Sequence, residues 1–374
     1  MPTLKLLRKR YVRPVVKLKT KSGLYNQLAP ESVFDRSYAD ATLLAGIWVD
    51  KFQYYMPLYR QHQRMEQSGI KIARGNLTSW VHRMATLLEP IYQAIVASVL
   101  ASQVLAIDET PIKVGQEKKG KMHRGYMWVL YGDQDEALFL YSNTRAMSAI
   151  EELVKEYCGA LISDGYTVYE KLSAKYENID HALCWSHTRR EFFEAQAYEP
   201  ERAARALDLI GKLYQVEAEI KEQQLKKAEK HQYRLTHARD AVDQFFAWLK
   251  EEQKCDSLLP SNKLQKAASY ALAREQGLRL YLTNPDIPID TNHLEREIRP
   301  IPMGRKNWLF CWTEVGAHAV AIAQTLISCC KLHGVNPFEY LVDVLRRVDS
   351  HPANKVHELT PRLWALEKKL TVTP

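Results

Sequence analysis

The chain has 374 residues, of which 46% are hydrophobic and 26% are charged, and its formal net charge is +8. This length and composition predict two or three folded units with a sizeable core and exclude a mostly disordered protein. The apolar runs fall short of the roughly 18 residues of a membrane-spanning helix, and the basic N-terminus lacks the apolar centre of a signal peptide. We therefore expect a cytoplasmic protein with no membrane partner.

The excess positive charge lies in a basic leader, which we assign to residues 1–29. Its first part, residues 1–22, contains eight Lys/Arg and no acidic residue, so it accounts for the whole formal net charge. Such a block suits a polyanion such as DNA through counterion release, and it is equally typical of a solvated arm without a partner. The basic residues are Lys5, Arg8, Lys9, Arg10, Arg13, Lys17, Lys19 and Lys21.

The cysteines form no C-x-x-C pair, which disfavours both a zinc knuckle and a disulfide framework. We therefore expect buried free thiols and no zinc. The six residues are Cys158, Cys184, Cys255, Cys311, Cys329 and Cys330.

Residues 30–100 have apolar side chains at helical spacing and predict a helical region. The segment "YADATLLAGIWVDKFQYYMPLYRQHQRMEQ" is followed by a Gly-containing turn and by a second helix, which Asn76 would cap and which runs toward Pro90. This arrangement is compatible with a DNA-binding helix-turn-helix and equally with an ordinary helical hairpin. In a helix-turn-helix, the second helix would expose Arg74, Thr78, Ser79 and His82 to a DNA groove.

The hydrophobic period becomes strand-like after residue 100. The segments "VLAIDETPIKV", "GYMWVLYGD" and "ALFLYSN" predict three strands in a meander. A helix with a capping box at Ser148 and Glu151 follows and ends at Gly159. The segments "ALISDGYTVY" and "HALCWSH" predict two further strands, the last followed by a helix. The apolar runs of the first and fourth strands stop at Asp108 and Asp164.

The remaining chain is mostly helical. Residues 200–282 carry apolar residues at three- and four-residue steps and predict a helical insertion. The insertion would divide an α/β core into residues 101–199 and 283–348. We expect residues 349–374 to form a peripheral tail.

The second part of the core contains two predicted helical segments. One begins near Asn292 and is cut by Pro300. The other, "GAHAVAIAQTLISCCKLHG", is strongly apolar and is closed by Gly334.

A near match to a phosphate-binding loop occurs at "GQEKKGKM", where Gly115 and Gly120 precede Lys121. A true loop of this kind needs Ser or Thr after the lysine, and a helix must follow it. Here Met122 follows Lys121 and the next predicted element is a strand. We therefore interpret the segment as a charged hairpin loop.

Acidic residues supply a different candidate site. A β-β-β-α-β order places Asp108 and Asp164 side by side, where their carboxylates suit Mg²⁺, and Glu295 on a late helix is the candidate third acid. Two metal ions about 3.5–4 Å apart between such carboxylates activate a water or 3′-hydroxyl for phosphoryl transfer. Plainer interpretations remain: Asp108 and Asp164 as turn residues, and Glu295 in a capping box with Asn292 or an ion pair with Arg299.

Basic side chains beside Glu295 would hold the scissile DNA strand. They are Arg296, Arg299, Arg305 and Lys306. For Trp308 and Trp312 we favour core filling over stacking on an unpaired DNA base.

The segment "CWSHTRR" combines possible metal ligands with two arginines. Cys184 and His187 have no second Cys/His pair nearby, so we expect buried packing instead of zinc binding. Arg189 and Arg190 would then face phosphate.

The segments "AIDETPIKV", "ISDGYTVY", "CWSHTRREF", "DTNHLEREIRPIPMGRKNWLF" and "GVNPFEYLVDVL" closely resemble the bacterial insertion sequence 66 family of DDE transposases. The resemblance runs from about residue 37 to residue 348. It implies an RNase H-like mixed-sheet core, with Asp108, Asp164 and Glu295 as the catalytic, metal-binding triad. The implied cofactor is Mg²⁺, with Mn²⁺ as a substitute, and the implied reaction is DNA strand cleavage and joining at transposon ends.

The resemblance also implies partners. These are the terminal inverted repeats and the target DNA, and synapsis of two ends suggests a homodimer. Accessory proteins of the same element are a further expectation, as is a location at the bacterial nucleoid. The helical region that contains "RQHQRMEQSGIKIARGNLTSWV" would bind DNA.

The chain departs from the family pattern in two places. Relatives have Asp-Asn-Asn where this chain has Asp290-Thr291-Asn292, and fuller relatives carry a coiled coil and a Cys-rich zinc module before "YVRP". A truncated, catalytically inactive DNA-binding protein is therefore the alternative. A recombinase with Tyr166 or Tyr169 as a covalent nucleophile is a second rival, but the chain lacks the Arg/His/Arg frame of that class.

Overall fold

The computed structural model describes residues 7, 9–17, 23–26, 32–35, 37–115, 121–254, 259 and 261–372. Several basic residues of the leader (Lys5, Arg8, Lys19 and Lys21), the centre of "GQEKKGKM" and Cys255 lie outside the described residues.

The described residues form a mixed α/β protein with seven strands in two sheets. A small antiparallel pair joins β1 to β2, and the main sheet has the order β5-β4-β3-β6-β7. In the main sheet β4 is antiparallel to β3 and β5, whereas β3, β6 and β7 are mutually parallel. The fold class expected from the sequence is confirmed, and it is consistent with an RNase H-like core. The strands are β1 Val15–Lys17, β2 Leu24–Asn26, β3 Val104–Gly115, β4 Met122–Gly132, β5 Glu136–Ser142, β6 Gly159–Ser163 and β7 Ile179–Leu183.

Helices surround the main sheet, and a 3₁₀ helix at Ala353–Leu359 precedes the last of them. The α-helices are α1 Ala41–Phe52, α2 Leu58–Gln67, α3 Arg74–Leu100, α4 Ser148–Val154, α5 Thr167–Lys175, α6 Trp185–Ala195, α7 Pro200–Glu222, α8 Lys227–His237, α9 Arg239–Gln253, α10 Lys263–Leu272, α11 Glu275–Thr283, α12 Asn292–Ile298, α13 Pro300–Trp308, α14 Glu314–Leu332, α15 Pro337–Arg347 and α16 Pro361–Val372.

Strand β3 is longer than its apolar run suggested. It pairs with β4 from Ala106↔Tyr131 to Gly115↔Met122, but its parallel pairing with β6 ends at Ala106↔Ile162. Asp108 therefore lies in the middle of β3, and the expectation that it ends the strand was wrong. Because β4 directly continues the hairpin, the described part of "GQEKKGKM" has no helix after it, as the hairpin interpretation requires.

Helix α14 is the apolar centre of the fold. It packs on β5, where the Phe139 amide donates a 2.9 Å hydrogen bond to the Thr325 hydroxyl. Among the described residues α14 is long and apolar enough to cross a membrane, although we expected no such segment, and 72% of its 18-residue apolar stretch is buried inside the protein. Its apolar character is therefore accounted for by core packing.

The second helix of the N-terminal region extends beyond its predicted end. Helix α3 continues through Pro90 to Leu100, and the Tyr92 hydroxyl donates to the Phe139 carbonyl at 2.9 Å, so its second half packs on the sheet. The residue before α3 is Ala73, so Asn76 does not cap the helix, and its side chain donates to the Tyr38 hydroxyl at 2.8 Å instead.

Local signals misled at two further positions. The capping box at Ser148 does not form: Met147 precedes α4 without a side-chain cap, and the Glu151 carboxylate accepts hydrogen bonds from Lys175 and Tyr176. Gly159 does not close α4 but opens β6 with φ +154°.

The predicted thiol burial and the peripheral tail also need correction. Of the cysteines that the structure describes, Cys158 is exposed, although Cys184, Cys311, Cys329 and Cys330 are buried. The tail is more than peripheral, because Leu359 is fully buried and its carbonyl accepts a 2.7 Å hydrogen bond from the Tyr340 hydroxyl.

The helical insertion contains a fully buried arginine that its charged sequence did not indicate. Arg234 on α8 donates to both carboxylate oxygens of Glu217 on α7, at 2.7 and 2.9 Å. It also donates to the carbonyls of Tyr281 and Ile287, at 2.7 and 3.0 Å. One guanidinium thus joins two helices of the insertion to the chain that returns toward the sheet.

We predict that Arg234→Met lowers the free energy of unfolding by about 3 kcal/mol, because it leaves Glu217 and several carbonyls without their donor. Urea denaturation of the purified variant measures the change. Arg239→Met, at an exposed arginine of the same insertion, is the matched control and should change the free energy by less than about 0.5 kcal/mol. Equal effects of the two substitutions would contradict this role of Arg234.

Candidate active site

The parallel pairing of β3 with β6 brings Asp108 and Asp164 together. The register runs from Val104↔Ala160 to Ala106↔Ile162. Continued by two residues, it sets Asp108 opposite Asp164, just where β6 has ended. The Asp164 carboxylate also accepts a 2.9 Å hydrogen bond from the Tyr166 amide, so the turn interpretation of Asp164 holds alongside any role as a ligand.

Glu295 reaches the same edge because the chain before α12 is fastened to the end of β7. The Trp185 amide donates to the Ile289 carbonyl at 3.1 Å. The amide and the hydroxyl of Thr291 both donate to the buried Cys184 sulfur at 3.3 Å. Helix α12 begins directly after these contacts and carries Glu295 in its first turn.

The plainer interpretations of Glu295 do not fit the geometry. No side chain caps α12, and the Asn292 side chain donates to Asp290, so the capping box is absent from this described segment. Glu295 Oε1 is buried without a hydrogen-bond donor among the described residues. The His187 Nε2 atom lies 3.8 Å from it.

Burial and neighbouring charge both act on Asp108. Burial, together with the negative charges of Glu109, Asp164 and Glu295, raises the pKa of its carboxyl from 3.8 to about 7. The Glu109 amide partly offsets this by donating a 2.7 Å hydrogen bond to Asp108 Oδ1. Asp164 and Glu295 therefore lie close enough to Asp108 for their negative charges to affect its ionisation.

The chemistry of this donor set fits a hard divalent cation, since carboxylate oxygens are the ligands that Mg²⁺ takes. Within the described part of the chain, however, no three His, Cys, Asp or Glu side chains converge closely enough to enclose a metal ion. The buried oxygen of Glu295, which has no donor among the described residues, is an atom that a bound cation would satisfy.

Sequence reasoning missed Glu109, the neighbour of Asp108. Its side chain is only 2% exposed and is paired with Arg145. Its second oxygen accepts a hydrogen bond from the Tyr169 hydroxyl. The signal was present in the adjacent acids of "DET", because alternate residues of a strand point to opposite faces and one of the two carboxylates must then be buried elsewhere.

Tyr169 is a poor candidate for a covalent nucleophile. Burial and the negative charge of Glu109 hold the pKa of its phenol well above the ordinary value. Its hydroxyl is occupied by Glu109, and the Arg145 guanidinium covers the neighbouring Tyr166 ring at 3.8 Å.

Most of the predicted DNA-contacting residues lie at the surface. Arg305 is half-buried and its guanidinium donates to the Pro111 carbonyl, so part of its role is to hold α13 on β3. Trp308 is half-buried, but Trp312 is 77% exposed, so core filling was wrong for Trp312. The exposed residues of the predicted set are Arg74, Thr78, Arg189, Arg190, Arg296, Arg299 and Lys306.

Comparison with known proteins gives two family matches. A model of the transposase IS66 family matches residues 36–319, and a model of the IS66 C-terminal element matches residues 325–362. The chain therefore belongs to the IS66 transposase family.

Individual relatives are more distant. The uncharacterized protein y4hP of Sinorhizobium fredii (strain NBRC 101917 / NGR234) is 28% identical over 368 residues, which cover 92% of this chain and 66% of y4hP. The uncharacterized proteins y4qI and y4jD of the same strain are also 28% identical, over 93% and 96% of this chain and 67% and 73% of their own lengths. The chain thus spans about two thirds of the length of these relatives.

We predict that Asp108→Asn stabilises the metal-free protein by up to about 4 kcal/mol at pH 8, because it removes a buried negative charge from an acidic site. Folding raises the pKa of Asp108, so its ionised form costs stability above about pH 7 and costs little below pH 4, where it is protonated in both states. The gain should therefore shrink as the pH falls. Urea denaturation in EDTA measures it.

Asp180→Asn is the matched control, since Asp180 is exposed on β7 of the same sheet. It should leave stability nearly unchanged at every pH. A loss of stability in Asp108→Asn at pH 8 would mean that the Asp108 carboxylate is well compensated in the folded protein.

Proposed function

We propose that this IS66-family transposase cleaves and joins DNA strands at the ends of an insertion sequence by metal-dependent phosphoryl transfer. Asp108, Asp164 and Glu295 are the proposed catalytic triad. The observation that carries the proposal is the approach of these acids from three separate elements, with a buried carboxylate oxygen that accepts no hydrogen bond from the described residues.

The proposed cofactor is Mg²⁺, with Mn²⁺ as a substitute, held by the same three carboxylates. When bound, such ions activate a water or a 3′-hydroxyl and stabilise the leaving oxygen. The protein's own part is to orient the acids: the Glu109 amide holds one oxygen of Asp108 and the Tyr166 amide holds one oxygen of Asp164. No covalent bond between protein and DNA is required, in keeping with the buried and hydrogen-bonded Tyr169 hydroxyl.

Exposed basic residues next to the acids are proposed to bind the DNA backbone. Arg296 lies on the helix that carries Glu295, Arg299 directly follows this helix, and Lys306 lies on α13. Arg189 and Arg190 lie on α6, whose start is bonded to the segment before α12. The proposed substrates are the terminal inverted repeats and target DNA, bound by a homodimer with accessory proteins of the element.

The N-terminal helices offer a second DNA contact. Arg74 and Thr78 are exposed in the first turns of α3, which α2 precedes after a short turn. This arrangement is compatible with a helix-turn-helix, in which the start of the second helix would meet the bases, and equally with an ordinary helical hairpin.

A catalytically inactive DNA-binding protein is the alternative proposal. It is favoured because, among the described residues, no three His, Cys, Asp or Glu side chains lie close enough together to enclose a metal ion. DNA binding that is independent of metal, with no nicking in Mg²⁺ or Mn²⁺, would support it.

We predict that Asp108→Asn abolishes nicking of DNA that carries the element's ends, with at least about a thousandfold loss of rate, because one ligand of the reacting centre is neutralised. Gel assay of supercoiled plasmid measures the loss, and circular dichroism checks the fold. Asp180→Asn should retain full activity. Nicking by the purified Asp108→Asn variant at the wild-type rate would refute the triad.

We predict that the double variant Arg296→Ala/Arg299→Ala binds DNA more weakly for every sequence. Its plot of log affinity against log salt should lose about two units of slope, since each phosphate contact contributes about one. Lys221→Ala/Lys226→Ala, at exposed positions of the insertion, is the control and should keep the wild-type slope. An unchanged slope in the first variant would exclude Arg296 and Arg299 from the DNA interface.

A further inference from the structure

A fourth carboxylate lies beside the proposed triad, but it is not arranged as a ligand. Glu109 follows Asp108 on β3, where successive side chains point to opposite faces of the sheet. It is 2% exposed, and both of its oxygens are engaged, one by Arg145 and the other by the Tyr169 hydroxyl. Because Arg145 balances its charge and each oxygen already accepts a hydrogen bond, Glu109 is arranged as a partner of these side chains and not as a metal ligand.

Arg145 links this carboxylate to the other side of the site. It lies in the segment between β5 and α4, with 43% of its side chain exposed, and its guanidinium is 3.8 Å from the centre of the Tyr166 ring. A guanidinium both bonds a carboxylate and stacks on an aromatic face, which an ammonium group cannot reproduce. Arg145 therefore ties the side chain of Glu109 on β3 to the side chain of Tyr166 after β6.

The same two residues orient the two aspartates through their backbone. The Glu109 amide donates to Asp108 Oδ1 at 2.7 Å, and the Tyr166 amide donates to Asp164 Oδ1 at 2.9 Å. Beyond Ala106, β3 and β6 are no longer paired, so no backbone ladder fixes these two carboxylates relative to each other. The side chains of Glu109, Arg145 and Tyr166 span that gap.

We propose that Glu109 and Arg145 are a positioning pair, which sets the Asp108 and Asp164 carboxylates at the separation that Mg²⁺ requires without touching the ion. This inference rests on the proposed function, because it assumes that the two aspartates bind a divalent cation. It assigns the pair neither to DNA binding nor to proton transfer.

The expected signature is a change in metal selectivity. Mg²⁺ demands nearly ideal octahedral geometry, whereas Ca²⁺ accepts irregular and variable coordination. Loss of a residue that orients metal ligands typically weakens metal binding by about 10- to 100-fold. Arg145→Met should therefore weaken Mg²⁺ binding at least about tenfold and Ca²⁺ binding much less, whereas general damage to the fold would weaken both alike.

The chain provides a matched control pair. Glu151 on α4 also accepts hydrogen bonds from a basic side chain and a tyrosine, Lys175 and Tyr176, although both donate to one oxygen. Among the described residues it is bonded to none that orients an aspartate. Lys175→Met thus removes a comparable ion pair from neighbouring elements. It should keep the wild-type ratio of Mg²⁺ to Ca²⁺ affinity.

The test is isothermal titration of the full chain with Mg²⁺ and, separately, with Ca²⁺, for wild type, Arg145→Met, Arg145→Lys, Tyr169→Phe, Lys175→Met and Asp108→Asn. Arg145→Lys keeps the charge and should recover part of the Mg²⁺ affinity. Tyr169→Phe removes only one hydrogen bond to Glu109 and should shift the ratio in the same direction by a smaller factor. If Arg145→Met does not fold, Arg145→Lys and Tyr169→Phe decide the outcome.

The controls separate two kinds of failure. If the wild type binds neither cation, or if Asp108→Asn binds both as tightly as the wild type, the proposed metal triad fails. If the wild type binds Mg²⁺, Asp108→Asn does not, and the Arg145 and Tyr169 variants keep the wild-type ratio, the positioning pair is overturned while the triad stands.

Discussion

The molecule has to hold several carboxylates close together in a partly buried place, which costs free energy both through desolvation and through repulsion. Asp108 bears this most clearly, because burial and three acidic neighbours raise its pKa to about 7. Only a rigid surrounding can keep such groups from moving apart. The long β3–β4 hairpin and the buried α14 behind β5 provide that rigidity. The favourable free energy of the core therefore offsets the unfavourable free energy of the clustered carboxylates.

Glu295 is far from the two aspartates in the sequence, and a series of hydrogen bonds positions the chain that leads to it. Arg234 fixes the carbonyls of Tyr281 and Ile287 as the insertion ends. The Ile289 carbonyl then accepts from the start of α6, and Thr291 donates to Cys184 immediately before α12. Each of these hydrogen bonds involves a backbone group or the Cys184 sulfur. The path of the chain is therefore fixed before it reaches Glu295. The insertion is therefore part of the means by which the site is assembled.

The sequence predicted what depends on local pattern and failed where distant residues decide. The β-β-β-α-β succession, the apolar α14 and the alignment of Asp108 with Asp164 followed from periodicity and from connection rules. The joint role of these aspartates with Glu295 remains a proposal. The partners of buried charges did not follow. Arg234 lies in a segment whose charged sequence indicates a solvent-facing surface. The sequence around Arg145 does not indicate its pairing with a buried glutamate on β3. Capping signals at Ser148 and Asn292 were false because nearby side chains offered other partners to the same groups.

The open edge of β3 explains why the exposed tryptophan was misjudged. The pairing of β3 with β6 ends at Ala106. Near the far end of this edge, Cys311 makes two backbone hydrogen bonds, one to Lys113 at 2.9 Å and one to Gly115 at 2.8 Å. A Cβ atom on Gly115 would lie 2.3 Å from the Trp312 carbonyl oxygen, so only glycine permits this contact. Because the Trp312 backbone lies against the end of β3, its indole stays at the surface and does not pack in the core. One strand therefore carries Asp108 in its middle and, at its end, Gly115, which contacts the backbone of the exposed Trp312. Seven extended residues separate Asp108 from Gly115, a length of about 23 Å along the strand.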